Sequence, residues 1–380
     1  MSYEDNPKNL DLTEMPRIAC VGGFLGSGKT TAIIQAARVL MGRRVRIGII
    51  TNDQGHHLVD TALVRSLGFP AEEIGGGCFC CRFAEFAVHA RRLVEQFRAE
   101  VILAEAVGSC TDLSASVCRR MRQHHSAQFV LAPLTVMVDP GRVREMLGTR
   151  APFDEDVRYL FGKQLAEADR IIVTKRDLLD DEEIGSLQEA IQQFVGDIPV
   201  SAMSAKTGAG VHDWVEQILT AQAGERELQL DYDTYGRAEA SLGWLNANID
   251  LVAEKELSPT DLGEGLIAGI QGACRLSGCA VAYVKIMFAT AEGSDWIALT
   301  ESSGKPAWGG EKELPRSREA SMIINARVCA EPEHLQQMVG ACVQQVTADR
   351  NVRATVCHIE SFSPLPPKPP GVMTVHPTEN

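Results

Sequence analysis

Short apolar runs alternate with helix-period stretches through the first half of the chain. Arg17–Gly22 (RIACVG) reads as a buried strand, with a helix over Lys29–Met41 and a strand over Val45–Thr51 after it. In Arg82–Arg98, Phe83, Phe86, Ala90, Leu93 and Phe97 recur at helical spacing. Val101–Ala104, Leu134–Val138, Arg170–Val173 and Pro199–Met203 read as short buried strands, with helices over Glu182–Phe194 and Val211–Leu219. Strands alternating with helices predict an α/β fold, a mainly parallel sheet with helices on both faces.

The pattern changes at the polar stretch Ala223–Gly236. Beyond it the order is strand (Ala240–Val252), helix (Asp261–Arg275), strands (Ala280–Ala289, Ser294–Thr300, Ser321–Val328), helix (Glu333–Asp349) and strand (Arg353–Ser361). Two β-α-β units around an extra strand predict a C-terminal α+β, ferredoxin-like domain. From Pro364 onward prolines are too dense for a helix or a sheet ladder, so the tail is expected to be extended or disordered. The expected organisation is a flexible N-terminus (1–16), a nucleotide-binding domain (17–222), the α+β domain (236–363) and a proline-rich tail (364–380).

Composition narrows the function classes. With 380 residues, about two domains are expected at ~100–200 residues each. Apolar content of 45% and charged content of 23% fit a folded soluble protein. The net charge of −13 offers no broad electrostatic footprint for nucleic acid. No secretory signal is legible at the start, and no apolar run reaches the ~18 residues of a membrane span. The expected location is the cytoplasm, where thiols stay reduced.

Gly23-Phe-Leu-Gly-Ser-Gly-Lys29-Thr30 fits the phosphate-loop pattern, and it lies between a strand and a helix as that pattern requires. Gly23, Gly26 and Gly28 let backbone N–H groups around Ser27 turn inward to phosphates, and the helix start, with Thr30 and Thr31, adds its positive dipole end. Lys29 is expected to reach the β/γ-phosphates and the Thr30 hydroxyl to ligate Mg²⁺. Glu105, at the end of an apolar strand, and Asp53, after Val45–Thr51, are candidate carboxylates for the Mg²⁺ shell or the attacking water. Gly108 would let backbone approach the γ-phosphate.

Thr174-Lys175-Arg176-Asp177 also ends an apolar strand. A carboxylate there accepts from both N1–H and N2 of guanine, a donor pair that adenine lacks, while the Lys175 stem covers the ring. Ser204-Ala205-Lys206 could present a backbone N–H to guanine O6. Together they favour GTP over ATP; an ATP-using kinase of similar fold remains the weaker alternative.

Three of the 11 cysteines, Cys78, Cys80 and Cys81, fall within four positions after Gly75-Gly76-Gly77. Their thiolates suit Zn²⁺ first, and also Cu(I) and, with help, Co²⁺ or Ni²⁺, and three ligands leave a position open for transfer. A redox pair or simple packing are the competing readings. His56, His57 and His89 are candidate completing ligands. Cys20, Cys274, Cys329, Cys342 and Cys357 read as core, as do Cys110 and Cys118.

This set of motifs resembles the CobW/HypB/UreG family of P-loop metallocentre-assembly GTPases over roughly Arg17–Leu219. GGFLGSGKTT is similar to the CobW-type phosphate loop, and Asn52-Asp53-Gln54-Gly55 with Asp60 resembles the family's switch segment. Gly77-Cys78-Phe79-Cys80-Cys81 resembles the G-C-x-C-C metal motif, and Glu105-Ala-Val-Gly108 the E-x-x-G strand end. Gln164–Leu178 is close to the family's base-recognition stretch, and Ser204–Trp214 resembles its ending in HypB. The resemblance implies a SIMIBI-type P-loop NTPase that binds GTP/GDP and Mg²⁺, dimerises with nucleotide or metal, and delivers a metal to a client protein. Thr174 stands where asparagine is usual, which removes the amide that braces the phosphate loop. The rival reading is a regulatory or cofactor-loading switch, for instance for a corrinoid enzyme, whose cysteines are structural. No arginine finger is evident; Arg82 is a candidate in trans.

Overall fold

The computed structural model describes residues 15–52, 59–148, 152–226, 228–309 and 314–367. The first half runs β1 (Arg17–Gly22), α1 (Lys29–Gly42), β2 (Ile47–Asn52), α2 (Val59–Ser66), β3 (Ala71–Ile74), α3 (Phe83–Phe97) and β4 (Val101–Glu105). A π-turn over Ser114–Arg119 leads into α4 (Arg120–His125), then β5 (Val130–Leu131), β6 (Thr135–Val138), α5 (Pro140–Leu147), α6 (Glu155–Ala166), β7 (Arg170–Val173), α7 (Asp181–Val195), β8 (Val200–Ala202) and α8 (Val211–Thr220). The strands form a parallel sheet in the order β3-β2-β4-β1-β6-β7-β8, with β5 also beside β1.

Every residue of β1, β2, β4 and β6 is buried, as expected for strands covered on both faces. One face packs on α1 and α8 through Ile33, Ala37 and Trp214, and the other on α3 and α6 through Phe86, Leu93 and Phe161. Gly48 brings α3 close to β2: a Cβ there would lie 2.9 Å from Leu93 Cδ1.

The second half runs α9 (Tyr232–Ala240), β9 (Gly243–Leu257), α10 (Pro259–Ser277), β10 (Val281–Thr290), β11 (Gly293–Leu299), β12 (Ala307–Trp308), β13 (Ser317–Val328), α11 (Pro332–Ala348) and β14 (Val352–Phe362). Its antiparallel sheet has the order β12-β11-β10-β13-β9-β14. The run β14-β9-β13-β10 is the ferredoxin-like order, and β11 with β12 extends one edge. Helices α10 and α11 cover one face, where Leu266, Ile270 and Val339 meet Val284, Ile286 and Ile324.

The polar stretch after Ala223 contains a helix that periodicity did not reveal. Asp231 caps α9 by accepting from the Asp233 and Thr234 amides, and Tyr235 and Ala238 are buried within it. Helices α2 and α4 and strands β3, β5 and β12 also escaped the sequence reading, as did α5 and α6. Asp139 and Asp154 cap α5 and α6 by accepting from Arg142 N and Val157 N. The core assignment of the scattered cysteines also needs correction. Cys20 and Cys274 are buried, but Cys329 and Cys342 are only partly covered and Cys357 is exposed. No described helix is long and apolar enough to cross a membrane.

Candidate functional site

The phosphate loop joins β1 to α1 at the centre of the parallel sheet. Gly23, Gly26 and Gly28 have φ of 127°, 75° and 85°, a region that L side chains rarely adopt. Gly23 has a second reason to be glycine: a Cβ would sit 2.1 Å from Met137 O. Lys29 folds over the loop, donating from Nζ to Gly23 O at 2.8 Å and Phe24 O at 3.2 Å. The amine is thereby held across the mouth of the loop, where a triphosphate's outer groups would lie. Ser27 is buried, and Thr31 is exposed at the helix start.

Thr30 donates from Oγ1 to Glu105 Oε1 at 2.8 Å, joining the two residues read as parts of one magnesium shell. Glu105 is buried at the end of β4 beside β1. Gly108 packs against the phosphate loop, since a Cβ would lie 2.7 Å from Leu25 Cδ2 and 2.9 Å from Leu25 N. Gln164 holds this segment by donating from Nε2 to Gly108 O and Cys110 O, each at 2.9 Å. Asp53, His56 and His57 lie outside the described residues.

Thr174 corrects an expectation. Its hydroxyl donates to Ser27 O at 2.8 Å and lies 3.1 Å from Val138 O, so threonine braces the phosphate loop without an amide. The two segments expected to read the base also meet. Ser204 donates from Oγ to Asp177 Oδ1 at 2.6 Å, and the Thr207 amide donates to Ser204 Oγ. Asp177 remains exposed, while Ala205 is partly covered and Lys206 exposed. Lys175 is held from both halves of the chain: Nζ pairs with Asp139 Oδ2 at 2.5 Å and donates to Thr300 Oγ1 at 3.1 Å.

The cysteine loop follows the carboxyl end of β3 and lies against that of β2, on the same edge of the parallel sheet as the phosphate loop. Gly76 and Gly77 take positive φ, and the Cys81 and Arg82 amides donate to Cys78 O in the turn before α3. Cys78, Cys80 and Cys81 offer sulphurs within 4.8 Å of one another. Cys78 and Cys80 are joined as a disulfide here, a pairing the expectation of reduced thiols did not include, and Cys81 Sγ lies 3.3 Å from Cys78 Sγ. His89 is not in this group; its Nδ1 lies 2.7 Å from Glu72 Oε2. Arg82 pairs with Glu85 at 2.5 Å.

Two further residues lie against this group of sulphurs. Cys110, read as core, places Sγ 3.7 Å from Cys80 Sγ. Two thiolates on one tetrahedral zinc are about 3.8 Å apart, given Zn–S bonds of ~2.3 Å. Burial pushes the Cys110 thiol well above its ordinary range, an effect that a bound cation reverses. Asn52 donates from Nδ2 to Ile74 O and Gly77 O, at 2.8 and 2.6 Å, and accepts from the Phe79 amide at 3.0 Å. The signal for Asn52 was its place in the switch-like motif. Nothing in the spacing marked Cys110.

The family profile for the CobW/HypB/UreG nucleotide-binding domain matches residues 17–202. The zinc chaperone CobW of Pseudomonas aeruginosa is 28% identical over 247 residues, covering 58% of this chain and 63% of that protein. The zinc chaperone YeiR of Escherichia coli is 29% identical over 192 residues, covering 48% and 53%. The hydrogenase maturation factor HypB of Azotobacter vinelandii is 26% identical over 208 residues, covering 54% and 61%. The chain thus spans between about half and two thirds of the length of these relatives. A phosphate loop tied to Glu105 and the matched profile lead to one conclusion: residues 17–202 are a nucleotide-binding domain of the CobW/HypB/UreG family.

Proposed function

We propose that this protein is a GTP-hydrolysing metal chaperone, a switch that binds a transition metal at Cys78, Cys80 and Cys81 and passes it to a client metalloprotein. Residues 17–222 form the GTPase unit in this reading, and residues 236–363 a second unit that meets the client. Zn²⁺ is the first candidate cargo, with Co²⁺ and Ni²⁺ next. Cysteines acting as thiolate ligands favour a reducing compartment, which supports a cytoplasmic location in this reading.

The phosphate-loop amides and Lys29 hold the triphosphate, while Asp177 reads guanine and Ser204 fixes its carboxylate. Ala205 and Lys206 border the base, and Thr174 holds the loop that the phosphates grip. Thr30, Glu105 and Asp53 would hold Mg²⁺, which neutralises charge on the β- and γ-phosphates when bound. Glu105 and Asp53 orient the attacking water. Gly108 keeps side chains away from the γ-phosphate.

The observation that carries the coupling of nucleotide to metal is Asn52. It ends the strand leading into the switch-like segment, and its amide holds the cysteine loop at Ile74, Gly77 and Phe79. A nucleotide-driven shift of that strand end therefore changes how the sulphurs are presented. Cys110 serves as a fourth thiolate from the segment that follows Glu105. In a dimer the cysteines of two copies would share the metal across the axis.

The deciding experiment measures bound metal and GTP turnover together, with Zn²⁺, Co²⁺ and Ni²⁺ compared. Stoichiometric metal and metal-sensitive turnover are expected. The Cys78–Cys80 disulfide favours a second reading, a regulatory or cofactor-loading switch with structural cysteines. Absence of bound metal after reduction, with metal-independent turnover, would select it.

A further inference from the structure

Helix α9 joins the two halves of the chain and lies against the segment that follows β4. Residues three and four apart share a helix face. Tyr232, Tyr235 and Glu239 therefore stand in one row, in which Tyr235 and Glu239 are buried. Tyr235 and Ala238 belong to the same apolar core as Cys78, Phe79 and Cys110. Other bonds fasten the outer side of the helix. The Asp231 amide donates to Tyr159 Oη at 2.8 Å, and Arg237 pairs with Asp156 at 2.7 Å.

Both phenols of that row end on three consecutive residues, Cys110, Thr111 and Asp112. Tyr235 Oη accepts from the Thr111 amide at 3.1 Å. The same hydroxyl hydrogen-bonds the Cys110 sulphur and favours its thiolate, against the effect of burial. Tyr232 donates from Oη to Asp112 Oδ2 at 2.5 Å. Asp112 has a φ of 70°, a left-handed backbone that is uncommon outside glycine. On the other side, Thr111 Oγ1 and the Ser114 amide donate to Glu167 at 3.2 and 3.1 Å.

Cys110 Sγ lies 3.7 Å from Cys80 Sγ, so the backbone of residues 110–112 decides where a fourth sulphur stands. A core that needed only volume at these places would be filled as well by phenylalanine, because a buried hydroxyl costs free energy unless it is hydrogen-bonded. Here two hydroxyls from one helix are both directed at the residues that carry this sulphur. The left-handed Asp112, next but one to Cys110, is the strained point that they hold. Metal ligands depend on such outer partners for their orientation.

We propose that Tyr235 and Tyr232 are positioning residues for the metal cargo: through Thr111 and Asp112 they aim the Cys110 sulphur at the cysteine loop, which makes the helix joining the two halves part of the metal site. This rests on the reading of Cys110 as a fourth thiolate. Neither hydroxyl ligates the ion; each acts through the backbone that carries Cys110. With the loop cysteines reduced, an arriving ion meets four sulphurs, whereas a Cys110 released from the helix leaves three.

The test uses the full chain under reducing conditions, with Co²⁺ as the probe and with GDP affinity and Tm measured alongside. Tyr235→Phe keeps the ring and removes the hydroxyl. It is expected to weaken Co²⁺ binding ~10-fold or more and to alter thiolate-to-cobalt absorption, while GDP affinity stays within about twofold. Tyr159→Phe removes a bond on the outer side of the same helix and is expected to leave Co²⁺ affinity within about twofold. In a Cys110→Ser chain, Tyr235→Phe should cause no further loss, because its effect passes through that sulphur. A lower Tm with wild-type cobalt affinity and spectrum makes Tyr235 merely structural and overturns the proposal, as does an additive loss in the Cys110→Ser chain. Should Tyr235→Phe fail to fold, Tyr232→Phe carries the same expectations, and failure of both to fold overturns the proposal. Unchanged cobalt absorption in Cys110→Ser alone overturns the underlying reading, whatever the tyrosine variants do.

Discussion

The Phe79 amide donates to Asn52 Oδ1 at 3.0 Å, so a residue between two of the metal-motif cysteines is bound to the end of the strand that leads into the switch-like segment. With the bonds from Nδ2 to Ile74 O and Gly77 O, one buried side chain makes three hydrogen bonds across the gap. Asn52→Ala removes all three and leaves buried backbone groups without partners, at a cost of about 1–3 kcal/mol for each group left unsatisfied. Competition titration against a chromophoric chelator, in GTP-analogue and GDP states, should give wild-type affinities that differ and Asn52→Ala affinities that do not. A variant that keeps the difference would show that the coupling runs elsewhere.

Cys110→Ser examines the fourth ligand. The 3.7 Å separation from Cys80 Sγ implies that both sulphurs can bind one ion. With Co²⁺ as a spectroscopic probe, thiolate-to-metal charge-transfer absorption should fall by about one quarter in a four-thiolate site, and affinity should drop ~10-fold or more, the lower end of what losing a supporting ligand interaction costs. An unchanged spectrum in a chain that still binds cobalt would return Cys110 to the core.

For base selection, Asp177→Asn is the informative change. Asp177 is exposed to ligand but oriented by Ser204 at 2.6 Å. The amide keeps that shape and loses the charge and one acceptor, so GTP affinity should fall by ~10-fold or more, given that a hydrogen bond to a charged group contributes about 1.5–3 kcal/mol. Xanthosine triphosphate should recover binding. Equal loss for both nucleotides would mean that Asp177 does not read the base.

Burial raises the Glu167 carboxyl to about 8, partly offset by donors from the Ser114 amide and Thr111 Oγ1. Its folded value lies above its ordinary 4.5, so the folded chain holds a proton that the unfolded chain has released. Stability from this group is therefore full below about pH 4.5 and is lost as pH rises towards 8. Urea denaturation at pH 5 and pH 8 should show the midpoint falling in wild type and falling less in Glu167→Gln. A parallel decline in both would assign the pH dependence to other groups.

The legible parts of this protein were those governed by near neighbours in sequence. Gly23, Gly26 and Gly28 had to be glycine because the turn from β1 to α1 needs left-handed backbone, so the loop was visible as spacing alone. The apolar strands were continuous runs because both faces are covered. The capped helices α5, α6 and α9 were less legible, being short and rich in polar residues; their starts depend on single aspartates that also occur in ordinary turns.

What the sequence determined by itself was a parallel α/β half with a phosphate loop, a base-reading pair and a cysteine triplet, and a second half of ferredoxin-like order. Only the tertiary structure decided what meets across those pieces. Cys110 reaches Cys80 because β4, which precedes it, lies between β2 and β1, so the segment after β4 emerges beside the cysteine loop. Thr174 braces Ser27 because the end of β7 comes beside the phosphate loop, with its amide bonded to Val138 at the end of β6. Lys175 meets Thr300, and Thr300 and Tyr283 lie against Gly26, because the side of the second sheet away from α10 and α11 packs on the phosphate loop. Periodicity reports which face of a strand is buried, but it carries no record of the surface that buries it.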